Sequence, residues 1–133
     1  MNILVGLFSR TPKDPMIKQN QEKSKEFKKL VKNKKYDQAL RLGNDYLQKG
    51  PNHHDVLFMM GGIHYMNDRY KTAISYFNRA PEIGSYDVDV LLLKAYSHQK
   101  LNEHKRAIQC CNKILEVDEK NKSVKELLRQ LDS

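Results

Sequence analysis

The side chains able to do metal or covalent chemistry are few, and their spacing limits what they can do. His53, His54, His64, His98 and His104 are scattered along the 133 residues, and no pair stands at a metal-ligand spacing with companion carboxylates. Cys110 and Cys111 are adjacent; neighbours on a helix point roughly 100° apart, so they neither pair readily nor share a metal. They read as small core or surface residues, and nothing requires an oxidising compartment. No phosphate-cradling glycine loop, nucleophile elbow or dinucleotide fingerprint occurs. These residues predict no enzyme, no metal and no cofactor.

Charge is the other resource. The formal net charge is +8, and residues 1–35 carry ten Lys/Arg against three Asp/Glu, so nearly all of it sits in the first quarter. Lys23, Lys25, Lys28, Lys29, Lys32, Lys34 and Lys35 form a basic patch with two competing readings. One is a lysine-rich solvated helix face; the other is an anchor for nucleic acid or an anionic membrane surface, the apolar start of the chain included. Aromatic residues are scarce in the patch, and no nucleic-acid motif accompanies it.

Residues 1–8, Met-Asn-Ile-Leu-Val-Gly-Leu-Phe, resemble the apolar part of a secretory signal. No basic residue precedes them, the run is short, and Ser9-Arg10-Thr11-Pro12 offers no small-x-small cleavage site. The expectation is a cytoplasmic protein without a membrane span.

The elements that position these residues follow from an internal repeat. Ala39, Ala73 and Ala107 are spaced by 34, each with an aromatic ring three residues before (Tyr36, Tyr70, His104) and Leu or Ile directly after. The same interval relates Phe27, Gly61 and Ala95, then Tyr46, Ala80 and Ile114, then Leu47, Pro81 and Leu115. Between these columns the apolar spacing is helical, and Met66-Asn67-Asp68-Arg69 is a polar turn. Each unit reads as two antiparallel helices of about a dozen residues. Ala39, Gly61, Ala73, Ala80, Ala95 and Ala107 are the repeat-packing residues, small enough to let helices approach to about 8–10 Å; Gly61 and Ala95 are expected to face Ala73 and Ala107. His104, in the aromatic column, is expected to be a packing residue.

Residues about 20–121 resemble tetratricopeptide repeats on these columns, on Tyr36 and Tyr70, and on Pro51 at the end of the first unit. The resemblance implies an all-α fold, a right-handed superhelical stack of antiparallel hairpins. The expected organisation is an N-terminal apolar and basic segment over 1–18, flexible or a short helix. Three hairpins follow over 19–121 (about 19–53, 54–87 and 88–121), the first degenerate. A capping helix over 122–133 is apolar at Val124, Leu127, Leu128 and Leu131. The first unit departs from the family in Glu26-Phe27, and Trp is missing throughout. Pro81 is expected to stop or kink its helix near Arg79, and the weak junction could allow helix exchange between chains.

In such a stack the first helix of each unit lines a concave groove. The residues opposite the packing stripe are Asp55, Phe58, Gly62, Tyr65 and Met66 in unit two, and Asp89, Leu92, Tyr96, Gln99 and Lys100 in unit three. Exposed Tyr and Met suit an adaptable contact surface; the alternative is that Phe58, Tyr65 and Met66 are ordinary core. The family's carboxylate clamp of Lys, Asn and Arg finds Ser24, Lys28, Met59, Asp55, Asp89 and Leu93 at its places, so no clamp is expected. The function expected is a non-enzymatic scaffold that binds a protein partner's apolar or amphipathic peptide or helix. Residues 1–8 could fill that groove in the same chain or a second copy, giving self-association.

Overall fold

A computed structural model describes residues 21–49, 54–79 and 87–132. Seven helices run along them: α1 (Gln21–Lys32), α2 (Tyr36–Lys49), α3 (His54–Met66), α4 (Tyr70–Arg79), α5 (Asp87–Lys100), α6 (His104–Val117) and α7 (Lys122–Asp132). No strand occurs among the described residues. Each helix packs on the next, and α3 also touches α5, the contact of one hairpin stacked on another. The chain is an all-α helical repeat array.

The turns repeat as regularly as the helices. Lys34, Asp68 and Asn102 have φ of 59°, 61° and 60°, each 34 residues from the last. Around each, the same pair of hydrogen bonds closes the first helix of the hairpin. The amide of Lys35 donates to the carbonyl of Leu30 and that of Lys34 to Val31; Arg69 donates to His64 and Asp68 to Tyr65; Glu103 donates to His98 and Asn102 to Gln99. This is a left-handed helix cap that satisfies two carbonyls the helix leaves over. The next residue's carbonyl accepts the first bond of the following helix, from Ala39, Ala73 and Ala107, so three residues suffice to reverse the chain.

The core comes in three layers. Phe27 and Val31 of α1, Ala39 and Tyr46 of α2, and Val56, Met59, Met60 and Ile63 of α3 form the first. Phe58, Ala73, Phe77, Val90 and Leu93 form the second, between α3, α4 and α5. The third joins Leu91, Leu92 and Ala95 of α5 to Ala107, Cys110, Cys111 and Ile114 of α6 and Val124, Leu127 and Leu131 of α7. Ala39, Ala73, Ala95 and Ala107 are wholly buried, while Ala80 lies outside the described residues.

One packing expectation is corrected and another is refined. The nearest neighbour of Gly61 is the Phe77 ring, one turn along α4 from Ala73: a Cβ there would lie 2.4 Å from Phe77 Cε1. His104 is exposed rather than packed; it opens α6 at the surface, where its column partners Tyr36 and Tyr70 are half-buried. The kink expected at Pro81, the exchange of helices there, and everything proposed for residues 1–18 fall outside the described residues.

Candidate partner-binding surface

A helix whose apolar residues lie on one stripe leaves its other face to solvent; one that is apolar all round is enclosed. α3 is of the second kind, with Val56 to Ile63 buried without interruption, and α5 buries Val90 to Leu93 together with Ala95, Ser97 and His98. Ser97 tolerates this because its hydroxyl donates to the Leu93 carbonyl at 2.7 Å. Three expected groove residues are therefore core. Phe58 is 2% exposed, its ring 6.0 Å from Phe77. Leu92 belongs to the layer beneath α7, and Gly62 is buried. The apolar all-round composition of α3 encloses these positions.

The remaining groove residues lie toward the C-terminal ends of α3 and α5, apart from half-buried Asp89 near the start of α5; the Asp55 side chain is outside the described set. Tyr65 and Met66 are half-buried, Tyr65 edge-on to Tyr70 at 5.7 Å. Tyr96 and Gln99 are half-buried and Lys100 is exposed. Burial raises the Tyr65 phenol above its ordinary range, with Tyr96 and Asp68 adding to the rise. Tyr96 is likewise raised by burial and by Cys111, against a hydrogen bond with Ser123 that lowers it. Both hydroxyls are neutral donors at physiological pH.

Tyr96 opens into a groove of about 330 Å³ whose other wall is α7, lined by Lys122, Ser123, Glu126, Leu127 and Gln130. The Gln99 amide donates to Gln130 Oε1 at 3.1 Å along its edge. The part α7 takes here is absent from the sequence-based expectation, which gave that helix only a covering role. Its polar positions Ser123, Glu126 and Gln130 recur at helical spacing directly beside Val124, Leu127 and Leu131, and that second stripe is the signal that could have identified the wall.

The basic patch is accessible: Lys25, Lys29, Lys32, Lys34 and Lys35 are exposed and Lys28 is half-buried, while the Lys23 side chain is not described. At the carboxylate-clamp places, Met59 and Leu93 are buried. Among the described residues no three His, Cys, Asp or Glu side chains gather as a metal site, and no helix is long and apolar enough to cross a membrane. Both thiols are buried; burial and the neighbouring Cys110 push Cys111 up to about 11, leaving it a protonated, poorly nucleophilic thiol at neutral pH.

Comparison with curated proteins gives no match. A family model does match: that described as anaphase-promoting complex, cyclosome, subunit 3 aligns with residues 32–114, more than half of the chain and from the end of α1 into α6. Its match falls on the hairpins whose caps and small-residue columns repeat every 34 residues. The chain accordingly belongs to this tetratricopeptide-like repeat family, which generally mediates protein–protein interactions.

Proposed function

We propose that this protein is a non-enzymatic scaffold that seats an apolar or amphipathic peptide or helix of a protein partner against α5 and α7, with Tyr96 as the anchor. The observation that carries the reading is the open groove between these helices. Tyr96 gives it apolar area, and its rim offers Lys122, Glu126, Ser123 and Gln130. A half-buried tyrosine inside a polar rim is the arrangement that concentrates binding energy at interfaces. Tyr65, Met66, Gln99 and Lys100 extend the same surface. Because the rim carries both signs of charge, contact there should depend little on ionic strength.

A photo-crosslinking amino acid at position 96, with exposed Lys105 as the control position, tests this. Adducts with a partner at 96 that persist at high salt, and that weaken when Tyr65→Ala removes an adjoining ring, are the expected result. Adducts that vanish as salt rises and depend on Lys25 and Lys29 would instead favour the basic patch holding nucleic acid or an anionic membrane. That second reading rests on the exposure of the α1 lysines. Adducts between two copies of the chain would make it a self-associating protein.

A further inference from the structure

A second cleft, of about 260 Å³, lies where α4, α5 and α6 meet. It is built from one stripe of each helix: Ile74 and Asn78 four apart on α4, Lys94 and His98 four apart on α5, and Arg106, Gln109 and Lys113 at helical spacing on α6. We infer that this cleft is a phosphoryl-binding site, shaped to take a phosphoserine or phosphothreonine side chain of a protein partner.

Three permanent cations, Lys94, Arg106 and Lys113, line it, and among the described residues no Asp or Glu does. A concave surface lined with one sign of charge concentrates its field on the space it encloses. Lys94 is itself engaged within the protein, and Glu103 stands beside the rim, 3.7 Å from one Arg106 nitrogen. It is already committed to His98, whose Nδ1 lies 2.9 Å from Glu103 Oε1, and that bond holds the carboxyl below its usual range. The pair fixes the His98 ring at the cleft wall, and the Glu103 charge offsets one of the three lining cations.

The chemistry fits a phosphoryl group better than a carboxylate. A phosphomonoester carries about −1.5 to −2 charges and three acceptor oxygens, which match three cations and the amides of Asn78 and Gln109. A carboxylate brings one charge and two oxygens; an arginine fork takes either oxyanion, so charge and oxygen count make the difference. Ile74, Leu91 and Cys110 supply an apolar surface for the short stem of a phosphorylated side chain. The volume corresponds to about eight or nine waters at roughly 30 Å³ each, room for a phosphoryl group and its stem. Among the described residues no Phe, Tyr or Trp lines the cleft, so it lacks the broad stacking platform that single-stranded nucleic acid uses.

Titrating the full-length ¹⁵N-labelled chain with N-acetyl-phosphoserine methylamide tests the inference. Parallel arms use the serine and glutamate analogues and inorganic phosphate. Saturable shifts confined to residues 74–78, 91–98 and 106–113 are expected, with the glutamate analogue and free phosphate at least about fivefold weaker and serine silent. Arg106→Gln with Lys113→Gln, both at exposed positions, should weaken binding about tenfold or more with an unchanged melting curve, while Lys25→Gln with Lys29→Gln should leave it intact. Shifts spread over the α1 lysines, equal binding by the Arg106/Lys113 variant, or equal binding of the glutamate analogue would overturn it. Free phosphate binding as tightly as phosphoserine would overturn the peptide assignment.

Discussion

Phe77 and Met60 decide what two of the glycines are for. A Cβ on Gly61 would stand 2.4 Å from Phe77 Cε1, and one on Gly43 would stand 2.3 Å from Met60 Sδ. The distances are alike but the neighbours differ. Phe77 is a rigid ring held by Phe58, Ala73, Val90 and Leu93, whereas a methionine thioether can swing aside. Alanine in place of a mid-helix glycine gains about 0.5–1 kcal/mol of helix propensity, and overpacking a core costs typically 1–3 kcal/mol. Gly61→Ala should therefore lose about 1–2 kcal/mol, and Gly43→Ala clearly less. Urea denaturation of the two variants beside the parent reads the difference; equal losses would show that the ring moves as easily as the thioether.

His64 belongs to the same scale. Its ring stacks on Tyr76 at 5.3 Å, and its Nδ1 accepts from Arg69 Nε at 2.9 Å. Burial, then the Arg69 charge, holds it below the ordinary 6.5. The unfolded chain thus takes up this proton first, and stability must fall as pH drops below about 6.5 toward the folded-state value. His64→Phe keeps a stacking ring and removes the titration. Its unfolding free energy should change less between about pH 7 and 5.5 than the parent's; matching slopes in the two proteins would remove His64 from the account.

At the scale of elements, the caps are uniform in geometry and uneven in sequence. Lys34, Asp68 and Asn102 all adopt the left-handed conformation, which asparagine and aspartate tolerate and lysine does not favour. Lys34→Gly should stabilise the first hairpin by about 0.5–1 kcal/mol, with no comparable gain from Asn102→Gly; thermal melts of both variants provide the check. This cap was not legible in the chain, because no glycine marks it and three different side chains occupy it. The helices were legible, since Ala39, Ala73 and Ala107 recur with their neighbours on a fixed interval. The candidate groove was legible only in part. Val56 to Ile63 were divided into a packing stripe and an open stripe, when a run apolar on every side meant enclosure. The basic cleft could not have been read at all, because Asn78, Lys94 and Lys113 meet only through the stacking of three helices.

For the whole molecule, the closing of the array's last layer rests on α7. It inserts Val124, Leu127 and Leu131 against Leu91, Leu92 and Ile114, and burying one such side chain contributes about 1.5–3 kcal/mol. Losing all three would remove a large part of the roughly 5–15 kcal/mol that holds a typical domain folded. Ending the chain at residue 120 should lower the melting temperature sharply and drive aggregation, as size-exclusion chromatography would reveal; a shortened protein as stable and monomeric as the parent would contradict the packing described. The same deletion removes one wall of the Tyr96 groove but leaves every residue of the α4–α6 cleft in place.

The layering of the interior also governs how the molecule comes apart. Because each apolar layer is completed by adjacent helices and none spans the array, opening need not be all-or-none: a terminal hairpin can peel away while the middle stays closed. Amide protons should therefore exchange slowest in α3 and α5 and progressively faster toward both ends, and a guest clasped at the α5–α7 end would slow exchange there first.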